Sequence, residues 1–376
     1  MKINSKELFT FVLSTLFYIS FIAQEPEFNA ITTAAPFLMI TPDARAGGMG
    51  DIGVATSPDA NNQHHNPAKA AFNNNALSIG VNFTPWLNNL VNDVYLGGVS
   101  ATGLINERSA WAASFKYFTL GQINLTDYLG KPIGDVKPNE LSLDGTYALK
   151  LSEGFAMGVS LRYIRSDFRL GLATSEGITK SVNTFGVDLS GYYESLVSNF
   201  GDFNGLFRAG FNISNIGPKV TYVDGGKESF LPTNLKLGGG FDFIFDDYNK
   251  IGLTIETNKL LVPTPPADFD NNIGFVEGIF SSFGDAPGGF NEELKEFTWA
   301  AGTEYLYNEV FALRAGYFHE SRLKGARQFF TLGAGFNFKA TNIDISYLLN
   351  ASDINNPLEN TLRFSLGFNL GEDFGF

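Results

Sequence analysis

Thr361-Leu362-Arg363-Phe364-Ser365-Leu366-Gly367-Phe368-Asn369-Leu370 puts Leu362, Phe364, Leu366, Phe368 and Leu370 on one parity and Thr361, Arg363, Ser365, Gly367 and Asn369 on the other. Successive side chains of a strand point to opposite faces, so the stretch predicts a β-strand with one apolar and one polar face. The same alternation recurs in Phe330, Leu332, Ala334, Phe336, Phe338, in Leu235, Leu237, Gly239, Phe241, Phe243, Phe245, and in Phe155, Met157, Val159, Leu161, Tyr163. From Leu77 onward fourteen such segments follow, at 77–83, 94–101, 110–118, 141–151, 155–164, 183–193, 206–213, 233–245, 249–257, 296–305, 310–318, 328–338, 341–349 and 361–370. An even number of amphipathic strands is what a single-chain bacterial barrel requires.

A β-sandwich also alternates, and two further patterns separate it from a barrel. First, the charges segregate: Lys116, Asp144, Arg162, Asp188, Arg208, Lys236, Asp242, Glu256, Glu304, Arg314, Asp344 and Arg363 all take the parity opposite the apolar face. A charge facing lipid at mid-depth costs about 2–4 kcal/mol, so hydrocarbon outside and a polar lumen inside would enforce this sorting. Second, tight connections at 152–154, 246–248, 306–309 and 339–340 alternate with long ones at 119–140, 165–182, 214–232, 258–295 and 350–360. Short periplasmic turns and long external loops produce that parity. Residues 194–205 break it, being a longer connection on the short side. Tyr163, Tyr193, Tyr305, Tyr317 and Tyr347 sit near segment ends, where an interfacial girdle belongs, and Phe374 and Phe376 end the chain in phase with the last outward face.

Composition agrees. The 376 residues include 37 Phe and 41 Gly but only 17% charged residues, against roughly 25% for soluble domains. Net charge is −13, which opposes binding to nucleic acid. The absence of Cys excludes disulfides and thiolate chemistry, and three His without metal-ligand spacing give no reason to expect a metal or another cofactor. Lys2 and Lys6 precede an apolar run at 8–23, which reads as a secretory signal peptide over residues 1–23. No later stretch holds 18 consecutive apolar residues, so export leads to an outer-membrane location.

Residues 24–76, rich in Pro and Gly, precede the barrel of residues 77–376. A fourteen-stranded barrel is too wide for its own side chains to fill, so this segment is expected to plug it. Gly48, Gly50 and Gly53 spell G-x-G-x-x-G, but no helix-forming stretch follows to present a dipole to a pyrophosphate, which leaves tight turns within a plug. His64-His65 suits hydrogen bonding in a polar plug better than a metal. No nucleophile, base or carboxylate set has convincing context, and no enzymatic activity is expected.

Asn66-Pro67-Ala68 before the first strand resembles a motif of FadL-type outer-membrane transporters. Pro42-Asp43-Ala44-Arg45-Ala46-Gly47-Gly48-Met49-Gly50-Asp51-Ile52-Gly53-Val54-Ala55-Thr56, followed by Pro58-Asp59-Ala60-Asn61 and Asn66-Pro67-Ala68-Lys69, resembles more specifically the N-terminal signature of the PorV (LptO) family. These are the FadL-like barrels of the Bacteroidota type IX secretion system. Leu231-Pro232-Thr233-Asn234-Leu235-Lys236-Leu237-Gly238 is similar too, while His64-His65 departs from the His-Trp of many relatives. The resemblance implies a non-catalytic shuttle. It would take cargo with a C-terminal secretion signal from the SprA (Sov) translocon to the attachment complex of PorU with PorQ and PorZ, where cargo is joined to lipopolysaccharide. In gliding members the same system exports adhesins. Two alternatives stand beside it: a FadL-type channel for hydrophobic small molecules, and the sister barrel PorQ. The longest loop holds Val276, Ile279, Phe280 and Phe283 at short-helix spacing, and with Ile273 and Phe275 they form a candidate partner-binding patch or a turn folded back on the rim.

Overall fold

The computed structural model describes residues 28–87, 91, 93–127, 129–169, 173–174, 177–265, 273–352 and 358–372. The expected signal peptide and the terminal pair Phe374 and Phe376 lie outside the described residues.

Fourteen barrel strands run up and down among the described residues: β1 (Asn75–Pro85), β2 (Tyr95–Asn106), β3 (Ser109–Thr119), β4 (Asn139–Lys150), β5 (Phe155–Asp167), β6 (Ser181–Glu194), β7 (Asn204–Ile216), β8 (Asn234–Ile244), β9 (Asn249–Leu260), β10 (Thr298–Tyr307), β11 (Phe311–His319), β12 (Gln328–Phe338), β13 (Thr341–Asn350) and β14 (Leu362–Glu372). Each pairs antiparallel with the next, and β14 returns to β1 with Leu77 opposite Leu370 and Phe83 opposite Phe364. Closure leaves the barrel itself without an unpaired edge, the condition for a sheet to cross lipid. Every segment expected from the alternation is a strand, and among the described residues no helix is long and apolar enough to cross a membrane.

The two faces are as the alternation requires. Phe330, Leu332, Ile255, Leu253, Leu161 and Val159 stand exposed on the outer wall, whereas Arg162, Asp188, Arg208, Glu256, Arg314 and Arg363 are buried inside. The inner wall also carries many glycines, and these determine what can fill it.

The segment before β1 fills the lumen from one end to the other. At the long-loop end the Asn29 N–H donates to the Leu323 carbonyl at 2.9 Å and the Ala34 N–H to Phe230 at 2.8 Å. Phe37 and Leu38 pack there with Leu96, Phe118, Ile164, Val182 and Leu231. The chain then descends through two single-turn helices, α1 (Ala44–Gly47) and α2 (Asn62–His65), to the 3-10 helix Pro67–Phe72 at the short-turn end. There Ala70 and Ala71 pack against wall residues Ala110, Ala112, Ala148 and Ala156, small enough to admit a helix.

Candidate functional site

The plug is built from the signature residues outward. Asp43 caps α1 by accepting from the Ala46 N–H at 2.8 Å, and its other oxygen lies 2.5 Å from His65 Nε2, tying α1 to α2. Arg45 follows in the helix and reaches the wall: Nη2 and Nε meet Glu304 at 2.8 and 3.0 Å, and Nη1 meets Asp59 at 2.8 Å. Arg314 holds the same Glu304 at 2.6 Å. Asp51 pairs with Arg363 of β14. The Gly53 and Val54 N–H groups both donate to Glu256 at 2.9 Å. Asn66 caps the 3-10 helix by accepting from Ala68, donates to the carbonyls of Val54 and Gly191 at 2.8 and 3.0 Å, and hands on to Pro67 at the first helical position. The Pro42 carbonyl accepts from Thr84 at 3.1 Å.

The signature glycines are where plug backbone touches wall backbone. A Cβ on Gly48 would stand 2.9 Å from Gly333 Cα, and one on Gly50, at φ +78°, would stand 2.9 Å from the Tyr317 carbonyl oxygen. Gly47 lies against Arg363 and Ser346, and Gly53 against the His65 ring. The wall reciprocates, with Gly302 and Gly316 facing Met49, Gly238 facing Val54, and Gly158 facing Ala68. Glycine on both sides of the seam therefore sets the plug's depth.

The G-x-G-x-x-G spacing is thus a set of close approaches and not a phosphate cradle, since residues 54–61 form no helix. His65 has the hydrogen-bonding role expected, whereas His64 Nε2 is buried without a partner. Lys69, the last residue of the signature, is only 1% exposed, and its ammonium donates to Gly53 O at 3.1 Å and Thr56 Oγ1 at 2.9 Å. A pocket of about 20 Å³ between plug and wall is bordered by His64, Lys116, Arg162, Asp188 and Asn212. That is room for about one water, in surroundings that do not suit a hydrocarbon.

At the external end the expected short helix forms as α3 (Phe275–Ser281). It folds onto the rim and also presents an apolar face. Gly278 is buried against Phe230 and Pro263, and Ile273, Phe275 and Ile279 are half-buried. Val276, Phe280 and Phe283 are exposed, with Phe280 at 74%. Phe290 and Leu294, outside the expected set, extend the apolar surface in the same loop. Beneath it Lys259, only 1% exposed, bonds Glu296 at 2.5 Å and Glu293 at 3.3 Å, and Lys324 joins Glu292 and Glu296 from the next external loop. Burial pushes the Asp285 carboxyl up to about 6; the Thr264 N–H opposes the rise, while Glu296 and Glu293 add to it.

The family model for the type IX secretion system protein PorV matches residues 23–267. The chain belongs to the PorV family. That match spans the plug and the barrel through β9, including every signature residue described above. In overall fold the chain is similar to the Ralstonia pickettii toluene transporter TbuX, at 11% identity and a TM-score of 0.51, over 88% of this chain and 98% of that one. It is likewise similar to the P. putida toluene transporter TodX, at 11% identity and a TM-score of 0.53, over 88% of this chain and 98% of the other. Identities this low establish a shared barrel fold and nothing of what passes through it. No curated protein matches the sequence.

Proposed function

We propose that this PorV-family barrel works as a non-catalytic carrier in type IX secretion. It collects cargo bearing a C-terminal secretion signal at the SprA (Sov) translocon and delivers it to the attachment complex of PorU, PorQ and PorZ, where cargo is joined to lipopolysaccharide. The observation that carries this reading is a lumen occupied along its length by a clamped plug, combined with an exposed apolar cap on the external loops. A barrel so filled offers partners its outer surfaces, and the exposure of Val276, Phe280 and Phe283 on an external loop supports contact with an exported domain there.

The FadL-type channel reading fits the fold but finds little support in the lumen, where the small pocket has Leu38, Met39 and Ile40 on one part of its border and charged or polar groups on the rest. Phe280→Asp tests the proposal. It removes an apolar contact from a 74% exposed position, so barrel assembly remains intact while co-purification of a cargo signal domain or the translocon falls about tenfold or more, as for a truncated interface anchor. Unchanged complex yield refutes the assignment of the cap. Normal surface attachment of signal-bearing proteins after deletion of the gene refutes the carrier role.

A further inference from the structure

The one connection that breaks the short-turn rule supplies a second interaction surface. The other described connections at that end have between two and four residues, whereas residues 195–203 continue β6 and β7 beyond the barrel wall as a hairpin, with Ser198 and Asn199 paired to Gly205 and Asn204. It is apolar from its base to its turn: Leu196 is 79% exposed, Val197 54% and Phe200 57%. It is also held in place, because Phe200 and Phe203 stack at 5.3 Å and pack edge-on against Phe241.

On the side of β5 the ladder ends where the Glu194 N–H donates to Gly154 at 2.9 Å. Beyond that point no described strand lies on this side of 195–199, of which Ser198 and Asn199 are in strand, and a cleft of about 440 Å³ opens, lined by Phe72, Lys150, Glu153, Tyr193 and Leu196. A free edge without Pro or Lys is a template for strand addition, a hazard that proteins ordinarily cover. Exposed Glu153, Asp202, Asp246 and Asp247 occur in this connection and the neighbouring turns. Against these stand Lys250, paired with Asp242 at 2.8 Å, Lys150, over the Phe72 ring at 4.7 Å, and exposed Arg108, which donates to the Lys150 carbonyl at 3.1 Å, so the surround is acidic on balance.

We propose that the 195–203 hairpin and its cleft dock an extended, basic segment of a soluble periplasmic protein, which adds as a strand along 195–199. The apolar side chains supply side-chain pockets, the free edge supplies main-chain hydrogen bonds, and the acidic surroundings select positive charge. Lipid meets the aromatic side of the hairpin, where Phe200 and Phe203 pack on outward-facing Phe241, but it offers nothing that pairs with the strand edge facing the cleft. The proposal needs only the orientation of the barrel, with short turns in the periplasm, and is independent of cargo carriage.

The test places the photo-crosslinker p-benzoylphenylalanine at Val197 of the full chain in living cells, with Leu332 on the lipid-facing wall as control, and maps the adduct by mass spectrometry. The expected product joins Val197, and not Leu332, to one peptide of a soluble periplasmic protein in which Lys or Arg flanks apolar residues. Asp202→Lys with Asp247→Lys should lower its yield at least about fivefold, with the heat-modifiable mobility of the folded barrel unchanged. Adducts to lipid, to a second copy of this chain or to an acidic segment, yields indifferent to charge reversal, or no adduct all overturn it. Retained cargo binding in the charge-reversed variant separates this surface from the external cap.

Discussion

Replacing Gly302 by Val tests whether the plug is seated by backbone contact. On β10 a Cβ at this position would stand 2.5 Å from the Met49 carbonyl oxygen and 2.8 Å from both Met49 Cβ and Ile52 Cδ1. Unstrained heavy-atom contacts lie near 3.5 Å, so the 49–52 segment has to retreat by about 1 Å. It has little room, since Gly48 already meets Gly333 and Gly50 meets the Tyr317 backbone. Overpacking of this kind costs typically about 1–3 kcal/mol, and contact with backbone places this case at the upper end. The wall is closed by hydrogen bonds on both sides of β10, so the strain falls on the plug. About 3 kcal/mol corresponds to roughly a hundredfold faster amide exchange wherever the plug opens as a unit. Hydrogen exchange on purified barrels, read at residues 46–54, measures it. Gly145→Val is the control, because a Cβ there meets nothing within 4 Å. Equal plug protection in wild type and Gly302→Val would refute the claim that paired glycines set the plug's depth.

Arg45→Met removes one of two cations from buried Glu304. Loss of a partner from a buried pair costs about 3–5 kcal/mol, and because Arg314 remains at 2.6 Å the expected loss is near the low end, seen as a lowered midpoint for plug release in denaturant. Asp285→Asn changes the pH dependence of the external cap. With its carboxyl raised to about 6, folded Asp285 holds its proton more tightly than the unfolded chain does. Its contribution is therefore fully present below about 3.8, the ordinary value, and is lost as pH rises through about 6. Amide exchange in α3, corrected for intrinsic rates, should accelerate across that window in wild type and stay level in Asp285→Asn. An identical pH profile for the two proteins would refute the role given to this carboxyl.

Much of the site's identity was legible, but not its pairing. The signature named Asp43, Arg45, Asp51 and Gly53 in the plug, and the parity of the strands named Glu256, Glu304 and Arg363 in the wall. That Arg45 meets Glu304 and Asp51 meets Arg363 depends on the depth and rotation of the plug, which bring together residues 259 and 312 positions apart. The α3 loop shows the same division. Helical spacing marked four apolar residues within 273–283, while the packing of Gly278 on Phe230 left Ile279 half-buried and Val276, Phe280 and Phe283 outside. Leu96, Phe118, Ile164, Phe318 and Phe329 had no signal at all: they occupy inward positions and are apolar because the plug and external loops cover them, as core residues.

The sequence by itself determined the strand number, the inner and outer faces, the end that carries long loops, and the family. Each of these is written locally, in a period of two residues, in turn lengths, or in a contiguous signature. Only the tertiary structure decided that the plug begins at the long-loop end and finishes at the short-turn end, which wall glycine admits which plug residue, and that 195–203 leaves a strand edge unpaired. Those are relations between segments far apart in the chain, fixed by closure of the barrel around a segment that contributes none of its strands.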